Sequence, residues 1–534
     1  MAGTALPFRD GTEVMMAGPG VCYYGEWVPP RCCPATWARR CTTGAALHVR
    51  EGRCMTLSVR SRQVLIAHSY FLQYDAKQLA RMRPYPPLAT LLAAAYLRQR
   101  GHQVTLFDAM LADGVQAFTD RLDRERPAIV GILEDNFNFL TKMCTVRMRD
   151  AALEMIRVAK VRGCRVAVNG SDATDRSETY LTAGADAVIV GEAEHAFADL
   201  VTRWQQDPTA DLADIPGLRL RDPTGGAIRT TPPRAFLDDL DSLPYPALDL
   251  VDVAQYRSAW QGAHGRLSWN VVTSRGCPYR CNWCAKPSFG TRYAQRTPAH
   301  VAEELARLRD TVHPDHVWFA DDIFGLTAPW IIAFAEAVAA RGVRVPFMIQ
   351  SRVNLMKPVV VAALAKSGCE EVWLGVESGS QQILDAMDKG TRVEQVRSAT
   401  RALRTAGIRV GWFLQLGYLG EEWDDILRTR DLVRAERPDE IGVSVSYPLP
   451  GTPFYDTVRA QLGAKQNWDD TGDLAMMFRG TYSTQFYRHI RNLLHDEVET
   501  GADPADVPAL DARWDALARR EPASRSRSDQ AALP

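Results

Sequence analysis

The sequence predicts an α/β protein: a Rossmann-like, doubly wound parallel sheet followed by a partial (β/α)6 barrel. Two observations carry this. Short apolar strands alternate with helical segments in two long series, over residues 62–205 and 263–460. A stretch rich in Pro, Asp and Gly separates the two, and such alternation builds parallel sheets with helices on both faces.

Residues 1–61 show neither a 3.6 nor a 2 period and are rich in Gly, Pro, Arg and Cys. They read as a poorly structured extension, with folding expected to begin near Met55. The first series has strands Val64–Ala67, Gln103–Phe107, Ala128–Leu133, Arg165–Val168 and Ala187–Val190. Helices are expected around Leu88–Arg100, Val115–Glu125, Met148–Val161, Glu178–Ala183 and His195–Trp204; Gly101 is placed as a C-cap would be. Residues 206–262 read as a linker, punctuated by Pro216-Gly217, Pro232-Pro233 and Pro244-Tyr-Pro246. The barrel strands are Ser268–Thr273, His316–Ala320, Pro346–Ser351, Glu371–Val376, Gly411–Leu416 and Glu440–Tyr447. Residues 461–518 read as a helical cap over the barrel mouth. There Trp468, Tyr482, Tyr487, His489 and His495 are candidates for substrate contact, although such residues are more often ordinary helix-packing side chains. Residues 519–534, mostly Arg, Ser, Pro and Ala, are expected to be disordered.

Charge excludes one class of partner. With 63 basic and 64 acidic residues the chain carries a net charge of −1, whereas nucleic-acid binding needs a basic excess or stripe. The apolar runs Leu88–Leu97 and Trp330–Ala340 are far short of the roughly 20 residues a membrane span needs. No basic-then-apolar leader opens the sequence, so the cytoplasm is the expected compartment.

The cysteines are uneven. Of 11, five lie before residue 55 (Cys22, Cys32, Cys33, Cys41, Cys54) with no standard zinc spacing, and Cys144, Cys164 and Cys369 are scattered. The remaining three form Cys277-Pro-Tyr-Arg-Cys281-Asn-Trp-Cys284, directly after the first barrel strand. Three thiolates on one loop can hold three irons of a 4Fe-4S cluster and leave the fourth iron open. Zinc is the alternative, but it would want a fourth protein ligand, and none lies nearby in sequence.

This Cys-x3-Cys-x2-Cys pattern resembles the signature of the radical S-adenosylmethionine (SAM) superfamily. The resemblance implies that SAM binds the open iron and is cleaved to methionine and a 5′-deoxyadenosyl radical, with electrons from a donor such as flavodoxin or ferredoxin. It extends along the barrel. Trp283 fills the aromatic place before the third cysteine, near adenine. Asp321 and Asp322 end the second strand, where the family reads the SAM amino group. Ser351 and Arg352 end the third and resemble a pair contacting the carboxylate and ribose. Glu377 and Ser378 sit at a ribose-binding position, and Gly417 and Leu419 in a segment that supports adenine.

Asp108-Ala-Met110, after the strand Gln103–Phe107, resembles the cobalamin-binding domain that precedes this barrel in one large subfamily. That domain's histidine is replaced here by Met110, so cobalamin is expected to bind base-off, without histidine. Glu134, Asn169-Gly170-Ser171 and Gly191-Glu192 follow other strands of the series and are implied as contacts for the cofactor. A flavodoxin-like domain holding flavin, or nothing, is the alternative. The resemblance covers residues 62–460 and implies a methyltransferase adding a methyl group to an unactivated carbon of a small molecule. A cyclisation, rearrangement or oxidation without net methyl transfer, as in the anaerobic magnesium-protoporphyrin cyclase branch, is the second reading. A cobalamin sensor would not need the cysteine triplet, and a tRNA methylthiotransferase would carry a basic RNA-binding domain after the barrel.

Overall fold

A computed structural model describes residues 61–138, 146–222, 226–286, 288–463, 474–500 and 505–526. Residues 59–534 form one compact unit. The reading made for residues 1–61 falls, up to residue 60, outside the described residues, as do those for Cys144 and Trp468.

The first sheet holds β1 (Ser61–Ala67), β2 (Val104–Phe107), β3 (Pro127–Leu133), β4 (Arg165–Asn169), β5 (Ala187–Ile189), β6 (Leu218–Arg221) and β7 (Ile228–Thr230). Its spatial order is β2-β1-β3-β4-β5-β6-β7, parallel through β5 and antiparallel beyond. Strand alternation builds both faces. Val64 and Ile66 pack under helices Leu88–Gln99 and Ala193–Gln206, while Leu65 and Ala67 face helices Val115–Glu125 and Val146–Val161. This is the doubly wound architecture, and the strand order reverses between β1 and β3.

Residues 206–262 correct the expected linker. Leu218 and Leu220 alternate with Arg219 and Arg221, so β6 buries its leucines in the first core and extends the sheet. Helix Val253–His264, started by the Asp252 carboxylate accepting from the Gln255 amide, buries Tyr256 and Trp260 in the main core. The high Pro and Gly content hid both features.

In the second domain a two-residue pairing of β9 (Ser274–Arg275) with β10 (Ala294–Gln295) lies between the first and second barrel strands. The barrel sheet is β8 (Ser268–Val271), β11 (His316–Phe319), β12 (Phe347–Ser351), β13 (Cys369–Glu377), β14 (Arg409–Leu416) and β15 (Glu440–Val445). All six are parallel, in the order β15-β14-β13-β12-β11-β8. The main core lies beneath the outer face of this sheet, where Val317, Phe319, Ile349, Val372, Leu374, Trp412 and Leu414 meet the surrounding helices.

Helices Thr484–Glu499 and Val507–Ser524 follow. The second helix replaces the disorder expected at residues 519–524, while 527–534 lie outside the described residues. Glu521 accepts from Tyr482 Oη at 2.7 Å, and Arg525 pairs with Glu422 at 2.5 Å. Tyr482 and Tyr487 are core side chains rather than surface contacts. Among the described residues, no helix is long and apolar enough to cross a membrane.

Candidate cluster and cofactor sites

The loop after β8 is fixed at both ends. Gly276, at φ +78°, lies where a Cβ would collide with the Arg292 carbonyl, so the chain can enter the cysteine loop only through glycine. Asn282 anchors the middle. Its amide donates to the Met387 carbonyl (3.1 Å) and its side chain to the Ala386 carbonyl (2.8 Å), while Tyr418 Oη donates to its Oδ1 at 2.7 Å. Arg352 stacks on the Tyr279 ring at 3.8 Å and places Nη1 3.4 Å from Cys281 Sγ. Burial pushes the Cys284 thiol up to about 11 and raises Cys277, with the Asp322 carboxylate and the neighbouring sulfurs adding to both. Empty, such a loop favours protonated thiols; a cationic iron cluster would reverse that preference. Among the described residues, no group of three His, Cys, Asp or Glu is arranged to hold a single metal ion. Three thiolates on one anchored loop can ligate three irons of a 4Fe-4S cluster and leave the fourth open.

The strand ends around this loop divide into residues that face it and residues already engaged. Asp321 is engaged: it is buried, accepts from the Thr273 amide (3.0 Å) and from the Thr273 and Ser274 hydroxyls, and is pushed up to about 6 by burial. It pins the β8 end of the cysteine loop, whereas Asp322 is exposed. Ser378 is also engaged, accepting from the Ser380 amide and meeting Thr429 Oγ1. Ser351 differs, since its buried hydroxyl has no partner, as does the indole N–H of Trp283. Glu377, at φ +63°, pairs with Lys389 at 2.6 Å, and the Lys389 ammonium stands 6.0 Å from the Trp283 ring. Gly417, at φ +75°, donates its amide to Glu421 at 2.6 Å, and burial pushes that carboxyl up to about 8. Leu419 and Trp283 pack on one apolar cluster with Tyr418 and Phe454. Trp283, Arg352, Glu377 and Leu419 thus border the cysteine loop; Ser351 precedes Arg352 in the chain, and Gly417 faces Met476 and Tyr487. Lys389 belongs with them and carries no motif in the sequence, while Tyr279 lies within the cysteine motif itself.

At the first sheet, the crevice between the β1 and β3 ends is the expected ligand position for this strand order. His68 and Ser69 end β1 there, and Ser69 donates its amide (3.1 Å) and hydroxyl (2.6 Å) to Glu134 Oε1. Burial raises the Glu134 carboxyl. Asn136 Nδ2 donates to Asn169 Oδ1 at 2.8 Å, and Asn169 Nδ2 donates to the Ile189 and Gly191 carbonyls, each at 3.0 Å. A Cβ on Gly170 would stand 2.9 Å from Glu134 Cγ. Glu134, Asn136 and Asn169 line a cavity with Phe137, Glu192 and Phe289; Gly170 and Ser171 lie beside it in the chain. His68 Nδ1 is buried without a partner. The cavity measures about 10 Å³, room for a single water, so a large ligand there requires its lining side chains to move apart.

Two expected contacts are corrected. Asp108 and Met110 follow β2, on the side of β1 away from β3; Asp108 touches the crevice only through the His68 imidazole, and Met110 turns into the core. Asp108 accepts from Tyr256 Oη (2.7 Å) and the Met110 amide (3.0 Å) and meets His68 Nε2 at 2.9 Å. Met110 is 3% exposed and packs with Tyr70, Leu91 and Tyr256. Met110→Ala is therefore expected to lose about 2–5 kcal/mol of stability, while cobalamin bound per folded chain stays at the wild-type level. Chemical denaturation and cobalamin content check the two halves. Glu192 is the second correction. Its carboxylate takes Arg275 Nη1 at 2.6 Å and the Leu237 amide at 2.7 Å, leaving little for a ligand.

Arg275 joins the two sites. It lies two residues before Cys277, is 5% exposed and pairs with Glu192 (2.6 Å), in the loop after β5, and with Glu194 (2.5 Å), in the first turn of helix Ala193–Gln206. Its guanidinium stands 5.5 Å from the Phe137 and Phe289 rings, which stack at 5.1 Å.

Comparison with known proteins agrees with this geometry. Residues 82–201 match the B12 binding domain, and residues 271–433 match the Radical SAM superfamily. An uncharacterized methyltransferase of Pyrococcus horikoshii is 27% identical over 392 residues, covering 72% of this chain and 81% of the relative. The hopanoid C-3 methylase of Methylococcus capsulatus is 27% identical over 388 residues, covering 70% of this chain and 69% of that protein. The structure of the radical SAM methyltransferase TsrM from Kitasatospora setae shares the fold, with a TM-score of 0.61, 19% identity, and coverage of 77% of this chain and 76% of that one. The chain therefore belongs to the radical SAM superfamily, in the branch with a preceding B12-binding domain: it is a cobalamin-dependent radical SAM enzyme whose cofactors are a 4Fe-4S cluster, SAM and cobalamin.

Proposed function

We propose that this enzyme methylates an unactivated carbon of a small molecule, in the cytoplasm, with electrons from a flavodoxin- or ferredoxin-like donor. The observation that carries the reading is the Arg275 bridge, which ties the loop holding the cysteines to the sheet edge expected to hold cobalamin. When bound, the reduced cluster supplies the electron that splits SAM to a 5′-deoxyadenosyl radical, and cobalamin carries the methyl group.

The protein's own part is orientation. Cys277, Cys281 and Cys284 hold the cluster, and Arg352 keeps a positive charge beside Cys281 Sγ. The unpartnered Ser351 hydroxyl and Trp283 indole N–H are available to SAM. The Glu377–Lys389 pair sets both charges next to that position, with Leu419 closing it after β14. Glu134, Asn169, Gly170 and Ser171 form the cobalamin side; Gly191 takes φ +84°, a left-handed backbone that glycine adopts without strain.

The test uses SAM carrying a deuterated methyl group, with reconstituted enzyme and candidate metabolites under anaerobic reduction. Labelled product, S-adenosylhomocysteine and 5′-deoxyadenosine in matching amounts are expected. Deoxyadenosine with an unlabelled product would replace methyl transfer by cyclisation or rearrangement.

A further inference from the structure

Three arginines are buried among the described residues, and two of them have carboxylate partners. Arg275 takes Glu192 and Glu194, and Arg296 takes Glu304. Arg352 is as deeply buried, at 6% exposed, yet among the described residues no carboxylate pairs with it. A guanidinium held away from water without an anion is costly, so another anion must balance it.

The guanidinium is fixed on every side. Nε donates to Asn354 Oδ1 at 3.2 Å, Nη2 to the Lys389 carbonyl and Nη1 to Cys281 Sγ at 3.4 Å. One face lies on the Tyr279 ring, 3.8 Å from its centroid. Tyr279 stands between Cys277 and Cys281, so the ring and the sulfur that hold the arginine belong to one loop. Lys286 and Asp322 act on Cys277 and Cys284 with opposite signs. Cys281 has a full positive charge against its sulfur.

We propose that Arg352 sets the reduction potential of the cluster, its charge and its N–H at Cys281 Sγ favouring the reduced form. Three thiolates outweigh the positive charge of an oxidised iron-sulfur core, so the loaded loop is the anion that the guanidinium lacks. Reduction brings in one electron from the flavodoxin- or ferredoxin-like donor, which is oxidised, and no bond to Arg352 forms or breaks. The added negative charge strengthens the attraction and raises the potential. Net charge and hydrogen bonds to the sulfurs are among the features that set such potentials. This differs from the contact with the SAM carboxylate and ribose that the sequence resemblance implies for Arg352. It rests on the reading of Cys277, Cys281 and Cys284 as the cluster ligands.

The test uses the full chain, reconstituted anaerobically with iron, sulfide and cobalamin, and no SAM. Dithionite titration followed by the electron paramagnetic resonance of the reduced cluster gives the midpoint potential. Arg352→Gln keeps an N–H donor and removes the charge. It is expected to shift the reduction equilibrium at least tenfold toward the oxidised form, a fall of about 59 mV for one electron. Arg352→Lys keeps the charge and is expected to recover at least half of that fall. A third measurement needs no variant: wild-type protein is made with arginine whose guanidinium nitrogens are the spin-half isotope. Its reduced cluster is expected to show a coupling to that nitrogen. An unchanged midpoint in Arg352→Gln at full iron content, equal falls in the two variants, or no coupling from labelled arginine would overturn the proposal. So would weaker SAM binding by Arg352→Gln in equilibrium dialysis with the midpoint unmoved, which would assign the guanidinium to the SAM carboxylate. Wild-type enzyme that gives no reduced-cluster signal would overturn the cluster ligands themselves, and this proposal with them.

Discussion

Replacing Cys277, Cys281 and Cys284 together by alanine is expected to abolish the 4Fe-4S centre, with no brown absorbance and no cluster iron after anaerobic reconstitution. The loss should be complete rather than graded, because one loop supplies all three thiolates. The loop itself should survive. Its anchors are the Asn282 bonds to Ala386 and Met387, the Tyr418 hydroxyl and the glycine turn at Gly276, and none of these passes through sulfur. Cobalamin content is therefore expected to stay near wild type. Cys164 and Cys369 provide the control. Both are buried; the Cys164 thiol donates to the Pro127 carbonyl, and burial raises the Cys369 thiol. Alanine at either should leave iron and sulfide content unchanged, since a buried neutral thiol behaves as a small apolar side chain. A triple variant retaining wild-type iron and sulfide would refute the assignment.

Much of this site was legible because its signals are local. The cysteine spacing, the glycines at strand ends and the alternating strands depend on residues within a few positions of one another. What failed was spatial order. Strand β2 follows β1 in sequence but lies outside it in the sheet, so Met110 turns into the core and Asp108 touches the crevice where β1 and β3 diverge only through His68. His68 and Ser69, which do occupy that crevice, belong to no pattern. Engagement was hidden for the same reason. Glu192 has a partner 83 residues away in Arg275, and Asp321 has one 48 residues away in Thr273. A carboxylate at a strand end looks available until the residue that folds against it is known. The strands within 206–262 were missed because Arg219, Arg221 and the surrounding Pro and Gly outweighed two alternating leucines.

Arg275→Met is expected to destabilise the protein by about 3–5 kcal/mol, the usual cost of removing one partner from a buried ion pair. Methionine keeps much of the volume between Phe137 and Phe289, so the loss falls on charge. Glu192 and Glu194 would be left in a buried site with no cation, and burial already raises the Glu192 carboxyl. In the variant that rise should grow, which fixes the sign of the pH dependence. A carboxyl whose folded pKa lies above its unfolded value favours folding only while protonated, and that contribution is lost as pH rises through the folded pKa. The deficit of Arg275→Met against wild type should accordingly be smallest in mild acid and widen toward neutral and alkaline pH, as read by urea denaturation at several pH values. The triple variant Arg275→Met with Glu192→Gln and Glu194→Gln removes the stranded charges and is expected to recover most of the stability, with little pH dependence left. A single variant as stable as wild type at neutral pH, or a deficit that shrinks as pH rises, would show that the bridge is not what ties the cysteine loop to the first sheet.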